Sequence, residues 1–220
     1  MNQQTAKPWG SLNWPNRISI LRLLLVAPFV VLLMNNHQWL WARHAGLGIF
    51  VVMGISDFLD GQIARRLHLK TRLGALLDPL ADKVLIICSV VLLSIPEFSP
   101  DRFVLPNWVV VAVVGKDLWV ILGTVVVYLV TDRLRIHPTL WGKLATLVQL
   151  SAVILVLLAP DIEGFRSGWG EPTVLTMSVL VVASAAAAVV SYTRLGLSFI
   201  AKEQKPLEDA HNNHKDAKPK

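Results

Sequence analysis

Residues 40–95 read LWARHAGLGIFVVMGISDFLDGQIARRLHLKTRLGALLDPLADKVLIICSVVLLSI. Two apolar runs, 40–59 and 73–95, flank a polar join that carries Arg65, Arg66, Lys70 and Arg72. Each run is close to the ~20 residues that a helix needs to cross a hydrocarbon core. The stretch therefore reads as two spanning helices with a short connection. Carboxylates crowd the helix ends at that join. Asp57 and Asp60 close the first run, and Asp78 and Asp82 open the second.

Outward from this pair, four more apolar stretches appear, at 18–34, 106–130, 140–159 and 172–200. Breakers separate them: Asn35-Asn36-His37-Gln38, Pro96 with Pro100, His137-Pro138, and the glycines and prolines of 160–172. The expected fold class is all-α, a polytopic membrane bundle of six transmembrane helices. Composition agrees, because 54% of the 220 residues are hydrophobic and only 16% charged. So little charge excludes a disordered chain, a coiled coil or a nucleic-acid-binding module, so no nucleic-acid partner is expected. The one cysteine, Cys88, excludes an internal disulfide and any multi-cysteine metal site.

The net charge of +6 is unevenly spread. One set of helix ends holds Lys7, Arg17 and Arg22; Arg65, Arg66, Lys70 and Arg72; Arg133, Arg135 and Lys143; and Arg194, Lys202 and Lys205. The other set holds only Arg43, Arg102 and Arg166. Cytoplasmic loops retain Lys and Arg, so the first set is cytoplasmic, and six spans return both termini to that side. Trp9 and Trp14 on that side, with Trp39, Trp41 and Trp169 on the other, fit interfacial belts. No small-x-small cleavage site follows the first stretch, which reads as a permanent anchor. The division expected is a cytoplasmic N-terminal segment at 1–16, a membrane domain at 17–201, and a disordered polar tail at 202–220 that lacks aromatic residues.

Acidic groups in or beside spans are costly and are functional candidates. Asp57 and Asp60, three apart, share a helix face, as do Asp78 and Asp82, four apart, with Gly74 one turn earlier. The connection is short, so the two helices are expected to be neighbours, which gathers four carboxylates at their cytoplasmic ends. These cannot all stay ionised without a counter-charge. A divalent metal supplies one, and oxygen-only ligands favour Mg²⁺, Mn²⁺ or Ca²⁺ over Zn²⁺. The plain alternative is a set of ordinary helix-end charges answering the helix dipole. Two pairs on adjoining helices, set among Gly61, Gly74, Arg65 and Lys83, weigh against it. Glycines admit close approach of backbone or ligand, and Arg65 and Arg66 offer fork-like donors for phosphate oxygens.

The run Asp57-x2-Asp60-Gly61-x2-Ala64-Arg65-x8-Gly74-x3-Asp78-x3-Asp82 resembles the signature of the CDP-alcohol phosphatidyltransferase family at all eight fixed positions and every spacing. The resemblance extends to Trp14-Pro15-Asn16-Arg17-Ile18-Ser19 with Arg22, to Asp78-Pro79-Leu80-Ala81-Asp82-Lys83, and to Gly142-Lys143 with Thr146 and Gln149. It implies a six-helix enzyme, commonly homodimeric, in membrane lipid. Such an enzyme transfers a phosphatidyl group from CDP-diacylglycerol to an alcohol acceptor and releases CMP. Carried over, Asp57, Asp60 and Asp78 would be metal ligands for two Mg²⁺ or Mn²⁺ ions. Asp82 would contribute to the metal site and act as general base, and Gly61, Ala64, Arg65 and Gly74 would shape the CDP pocket. The expected location is the bacterial inner membrane, with the active site on the cytoplasmic side.

The acceptor half is read from Lys116-Asp117, which falls in the middle of the fourth stretch. The plain reading is a partly self-neutralising pair facing the bundle. The functional reading has Lys116 meeting an anionic acceptor group, with Asp117 orienting it and Lys143, Arg133 and Arg135 assisting. Family members that use glycerol 3-phosphate are expected to carry Arg-Glu at 116–117 and an arginine at 124, where this chain has Thr124. The Lys-Asp pair, Tyr128 and the 138–149 stretch look closer to members that use phosphatidylglycerol. Glycerol 3-phosphate is placed ahead of phosphatidylglycerol, with inositol phosphate and serine behind both. An ion transporter using the aspartates as a cation site is the reading from another class. Transporters usually show two related halves with broken helices, and no internal repeat is visible here.

The charge asymmetry makes a topological prediction. A reporter fused after Ala201 should read cytoplasmic, and one inserted within 161–171 should read external. The reverse pattern would overturn the orientation.

Overall fold

A computed structural model describes the backbone of residues 14–39, 41–67, 72–131 and 139–216, and side chains within 20–39, 41–56, 83–129 and 139–199. The elements are six helices in chain order: α1 Trp14–Met34, α2 Ala42–Leu67, α3 Arg72–Leu93, α4 Asn107–Thr131, α5 Leu140–Phe165 and α6 Gly170–Asp216. No strand occurs among the described residues.

Each of the six apolar stretches lies mainly in a helix, and some helices overrun their stretch where polar residues keep good helix propensity. α2 continues through the acidic motif to Leu67, and α5 runs past Pro160 to Phe165. Residues 202–216, expected within an unstructured tail, instead prolong α6 as helix to Asp216. Lys202, Glu203, Gln204, Lys205, Leu207 and Glu208 in its first half are good helix formers. Asn107–Leu129, Leu140–Phe165 and Gly170–Phe199 are each long and apolar enough to cross a membrane. The described apolar parts of the first three helices, Ile20–Met34, Ala42–Ser56 and Lys83–Leu93, are shorter.

Among the described residues α1 packs on both α2 and α3, while α6 packs along α5 and α4. α3 touches α4 and α5, and α2 touches α5, which joins the two groups. The core lies along these contacts. Phe29, Leu33, Phe50, Met53, Leu85, Val109, Val113, Val156 and Leu157 are buried, and the Phe29 and Phe50 rings pack 5.6 Å apart. The outward faces are equally apolar: Val111 is 71% exposed and Leu129 75%. In water such faces would drive association; in a bilayer they meet acyl chains.

Two glycines set helix spacing. A Cβ at Gly142 would stand 2.5 Å from the Tyr192 hydroxyl oxygen, so glycine lets the α6 tyrosine ring lie against α5 in its present position. A Cβ at Gly170 would collide with the Phe103 ring where α6 begins. At the other end of α5, Thr139 caps the helix by accepting from the Gly142 amide at 3.1 Å.

The connections at the Arg43 end are tied by charge. Arg43 binds Asp161 in bidentate fashion, both bonds 2.8 Å, and also donates to the Leu157 carbonyl at 2.9 Å. Arg102 pairs with Glu163 at 2.9 Å and with Glu171 at 3.3 Å. Glu163 in turn accepts from the amides of Gly168 and Gly170 at 3.0 and 2.9 Å, which fixes the turn into α6. Gly168 holds that turn at φ +85°, a conformation that favours glycine. Asn36 donates to the Phe98 carbonyl at 2.7 Å, linking two connections at the same end.

Candidate active site

The acidic motif lies on two helices. The backbone is helical across Asp57 and Asp60 in α2 and across Asp78 and Asp82 in α3, so each pair's positions fall on one helix face. The side chains of Asp57, Asp60, Gly61, Ala64, Arg65, Gly74, Asp78 and Asp82 lie outside the described residues, as do Arg133 and Arg135. The donor set at those positions is oxygen only, and paired carboxylates on a continuous helical register suit a hard divalent cation. Among the described residues no group of three or more metal-binding side chains occurs.

One residue beyond the motif a described polar network begins. Lys83 on α3 donates to Asp117 Oδ1 at 2.6 Å, and Lys116 reaches the same oxygen at 3.1 Å. Lys116 also donates to Gln149 Oε1 on α5 at 3.2 Å. Three helices thus converge on Lys116. Neighbours in a helix sequence stand about 100° apart, yet the long lysine stem lets Nζ return to the adjacent carboxylate. Burial deepens along the chain of contacts. The Lys83 side chain is 38% exposed, Asp117 11% and Lys116 5%, while Gln149 is 1% exposed as a residue.

Lys83 and Gln149 are partners that sequence reasoning did not assign. Both had a signal: a cation directly after the motif, and an amide inside the apolar run of α5. What no single sequence reveals is that residues 33 and 34 positions apart meet. Lys143, expected to assist, is exposed in the first turn of α5 and makes no described contact with the network. Thr124 is also elsewhere: its hydroxyl bonds the Val120 carbonyl at 2.7 Å. It lines a groove of about 270 Å³ between α4 and α6, with Trp119, Val126, Tyr192 and Leu197.

Comparison with known proteins adds the following. The model of the family described as CDP-alcohol phosphatidyltransferase matches residues 12–193. The CDP-diacylglycerol–glycerol-3-phosphate 3-phosphatidyltransferase of Aquifex aeolicus is 34% identical over 194 residues, covering 87% of this chain and 100% of that protein. Its namesake in Bacillus subtilis is 30% identical over 156 residues, 66% of this chain and 77% of that protein. A Mycobacterium tuberculosis protein bearing the name "Putative cardiolipin synthase" is 33% identical over 132 residues, 60% of this chain and 58% of that protein.

Asp117 is the shared anion of two lysines, so Asp117→Asn should destabilise the protein by about 3 kcal/mol, the cost of leaving a buried charge uncompensated. Lys83→Met should cost less, because its ammonium is over one-third exposed and screened by water. Thermal unfolding in detergent measures both; equal losses would contradict the hierarchy of burial.

Proposed function

The chain belongs to the CDP-alcohol phosphatidyltransferase family, a transferase of phospholipid biosynthesis, and on that basis we propose that it moves the phosphatidyl group of CDP-diacylglycerol onto glycerol 3-phosphate. The observation that carries the choice of acceptor is the alignment with the Aquifex aeolicus glycerol-3-phosphate enzyme along that protein's whole length. Two lysines against one aspartate where α3, α4 and α5 meet, with Lys116 and Asp117 the more deeply set, support an anionic acceptor.

In this reading the acceptor's primary hydroxyl oxygen attacks the phosphorus that carries the diacylglycerol. The P–O bond to CMP breaks, and Asp82 takes the hydroxyl proton, as a carboxylate beside the reacting centre can. Asp57, Asp60, Asp78 and Asp82 would hold two Mg²⁺ or Mn²⁺ ions. A divalent cation there offsets the pyrophosphate charge and stabilises the charge developing on CMP. Gly61 and Gly74 let the nucleotide approach the backbone, Ala64 leaves room beside it, and Arg65 presents paired donors to phosphate oxygens.

The protein acts as a homodimer in a bacterial inner membrane. All six helices cross it, both termini are cytoplasmic, and residues 17–201 form the membrane domain. The acyl chains stay in lipid, so the chemistry sits toward the cytoplasmic side, where the soluble acceptor arrives. Phosphatidylglycerol is the second reading, favoured by Thr124, which stands where an arginine is expected in glycerol 3-phosphate enzymes.

Purified protein given CDP-diacylglycerol and glycerol 3-phosphate should release CMP and form phosphatidylglycerophosphate. Excess chelator should abolish turnover and Mg²⁺ or Mn²⁺ restore it. Full activity in chelator would sink the metal assignment, and product formed only from phosphatidylglycerol would transfer the protein to the second reading. Asp82→Asn should lower kcat by two orders of magnitude or more while CDP-diacylglycerol still binds, within the range typical of a general base. A near-native kcat would refute that role.

A further inference from the structure

The Lys116 network has unmet hydrogen-bonding capacity of two opposite kinds. Gln149 spends its carbonyl oxygen on Lys116 Nζ, and because an ammonium only donates, this contact fixes which way the amide faces. Its Nε2 is buried and has no partner among the described residues. Asp117 spends Oδ1 on both lysines, and its Oδ2 is likewise buried without a partner among the described residues. One orphan is a donor and the other an acceptor. Each is a single carbon removed from an atom bonded to Lys116 Nζ. Buried polar atoms left unpaired cost stability, and native proteins rarely keep two together unless something fills them.

A group that satisfies both orphans must donate to a carboxylate and accept from an amide. A hydroxyl does both, as does a water molecule, which would leave the two acceptors compared below equal. The lysines beside it add a formal charge of +1 after Asp117 is counted. They suit a hydroxyl carried on a phosphate ester. The network also opens at Lys83, its most exposed member, which directly follows Asp82 in the chain.

Resting on the acceptor reading above, we infer that Gln149 Nε2 and Asp117 Oδ2 recognise the secondary, non-reacting hydroxyl of a glycerol-type acceptor, so that Gln149 determines specificity. The pair reads the middle carbon's hydroxyl, Lys116 and Lys83 face the phosphate, and the primary hydroxyl is left for attack. Gln149 and Lys83 thereby join Lys116 and Asp117 in one acceptor subsite. Lys143 and Thr124 stay outside it.

The test compares glycerol 3-phosphate with 3-hydroxypropyl phosphate, which lacks only the secondary hydroxyl. The native enzyme should prefer glycerol 3-phosphate by about ten-fold or more in kcat/KM, because the deoxy analogue leaves the buried pair unpaired. Gln149→Leu should lose most of that preference, raising the KM for glycerol 3-phosphate while the KM for CDP-diacylglycerol stays unchanged. A merely structural glutamine would lower both activities together and keep the ratio. Equal kcat/KM for the two acceptors in the native enzyme overturns the inference without recourse to any variant. An unchanged preference in Gln149→Leu overturns it also. No CMP release from the native enzyme with glycerol 3-phosphate overturns the acceptor reading itself, and the inference with it.

Discussion

An ammonium inside an apolar bundle has to be met by a carboxylate, and much of this molecule is arranged around that requirement. Moving an ion out of water costs several kcal/mol even after relaxation, and the cost is recovered only by close, hydrogen-bonded opposite charge. Asp117 meets it for two lysines through a single oxygen. In doing so it ties α3, which carries half of the acidic motif, to α4, and Lys116 extends the tie to α5. Among the described residues these three helices share few other contacts, so polar bonds supply orientation there. The same requirement operates at the Arg43 end, where Arg43 and Arg102 each find acidic partners.

Apolar character does not separate inside from outside in this protein. Val109 and Val113 are buried on the same helix whose Val111 and Leu129 are strongly exposed. What distinguishes the interior is its polar content. Ser89, Ser178, Gln149 and Lys116 are all buried, and the serines return their hydroxyl protons to carbonyls one turn back. Lipid presents no hydrogen-bonding groups, so polar side chains gain by turning inward.

The helices were legible in the sequence because a span imposes a length, and six runs near that length stand between clear breakers. Their ends were less legible. α5 passes through Pro160 and α6 through Lys202, since neither a proline near a helix terminus nor a set of charged helix formers compels an end. The acidic motif was legible from spacing alone, because positions three and four apart need no tertiary information to share a face. Lys116-Asp117 was legible as a pair out of place. Its partners were not. Lys83 and Gln149 come from other helices, and a single sequence carries no record of which distant residues touch. The bidentate Arg43–Asp161 bond, spanning 118 positions, was hidden for the same reason.

Gly142 and Tyr192 have a historical consequence. The space that a methyl group would take at 142 is filled by a phenol from the neighbouring helix. A change at either position is felt at the other. A lineage that acquires alanine at 142 has to turn the Tyr192 ring aside or trim it, and one that trims 192 opens a gap that a larger residue at 142 refills. The two sites should therefore change as a couple across descendants, with glycine–tyrosine and larger–smaller pairings frequent and the mixed combinations scarce. A pairing of this kind leaves its mark in inheritance through packing alone.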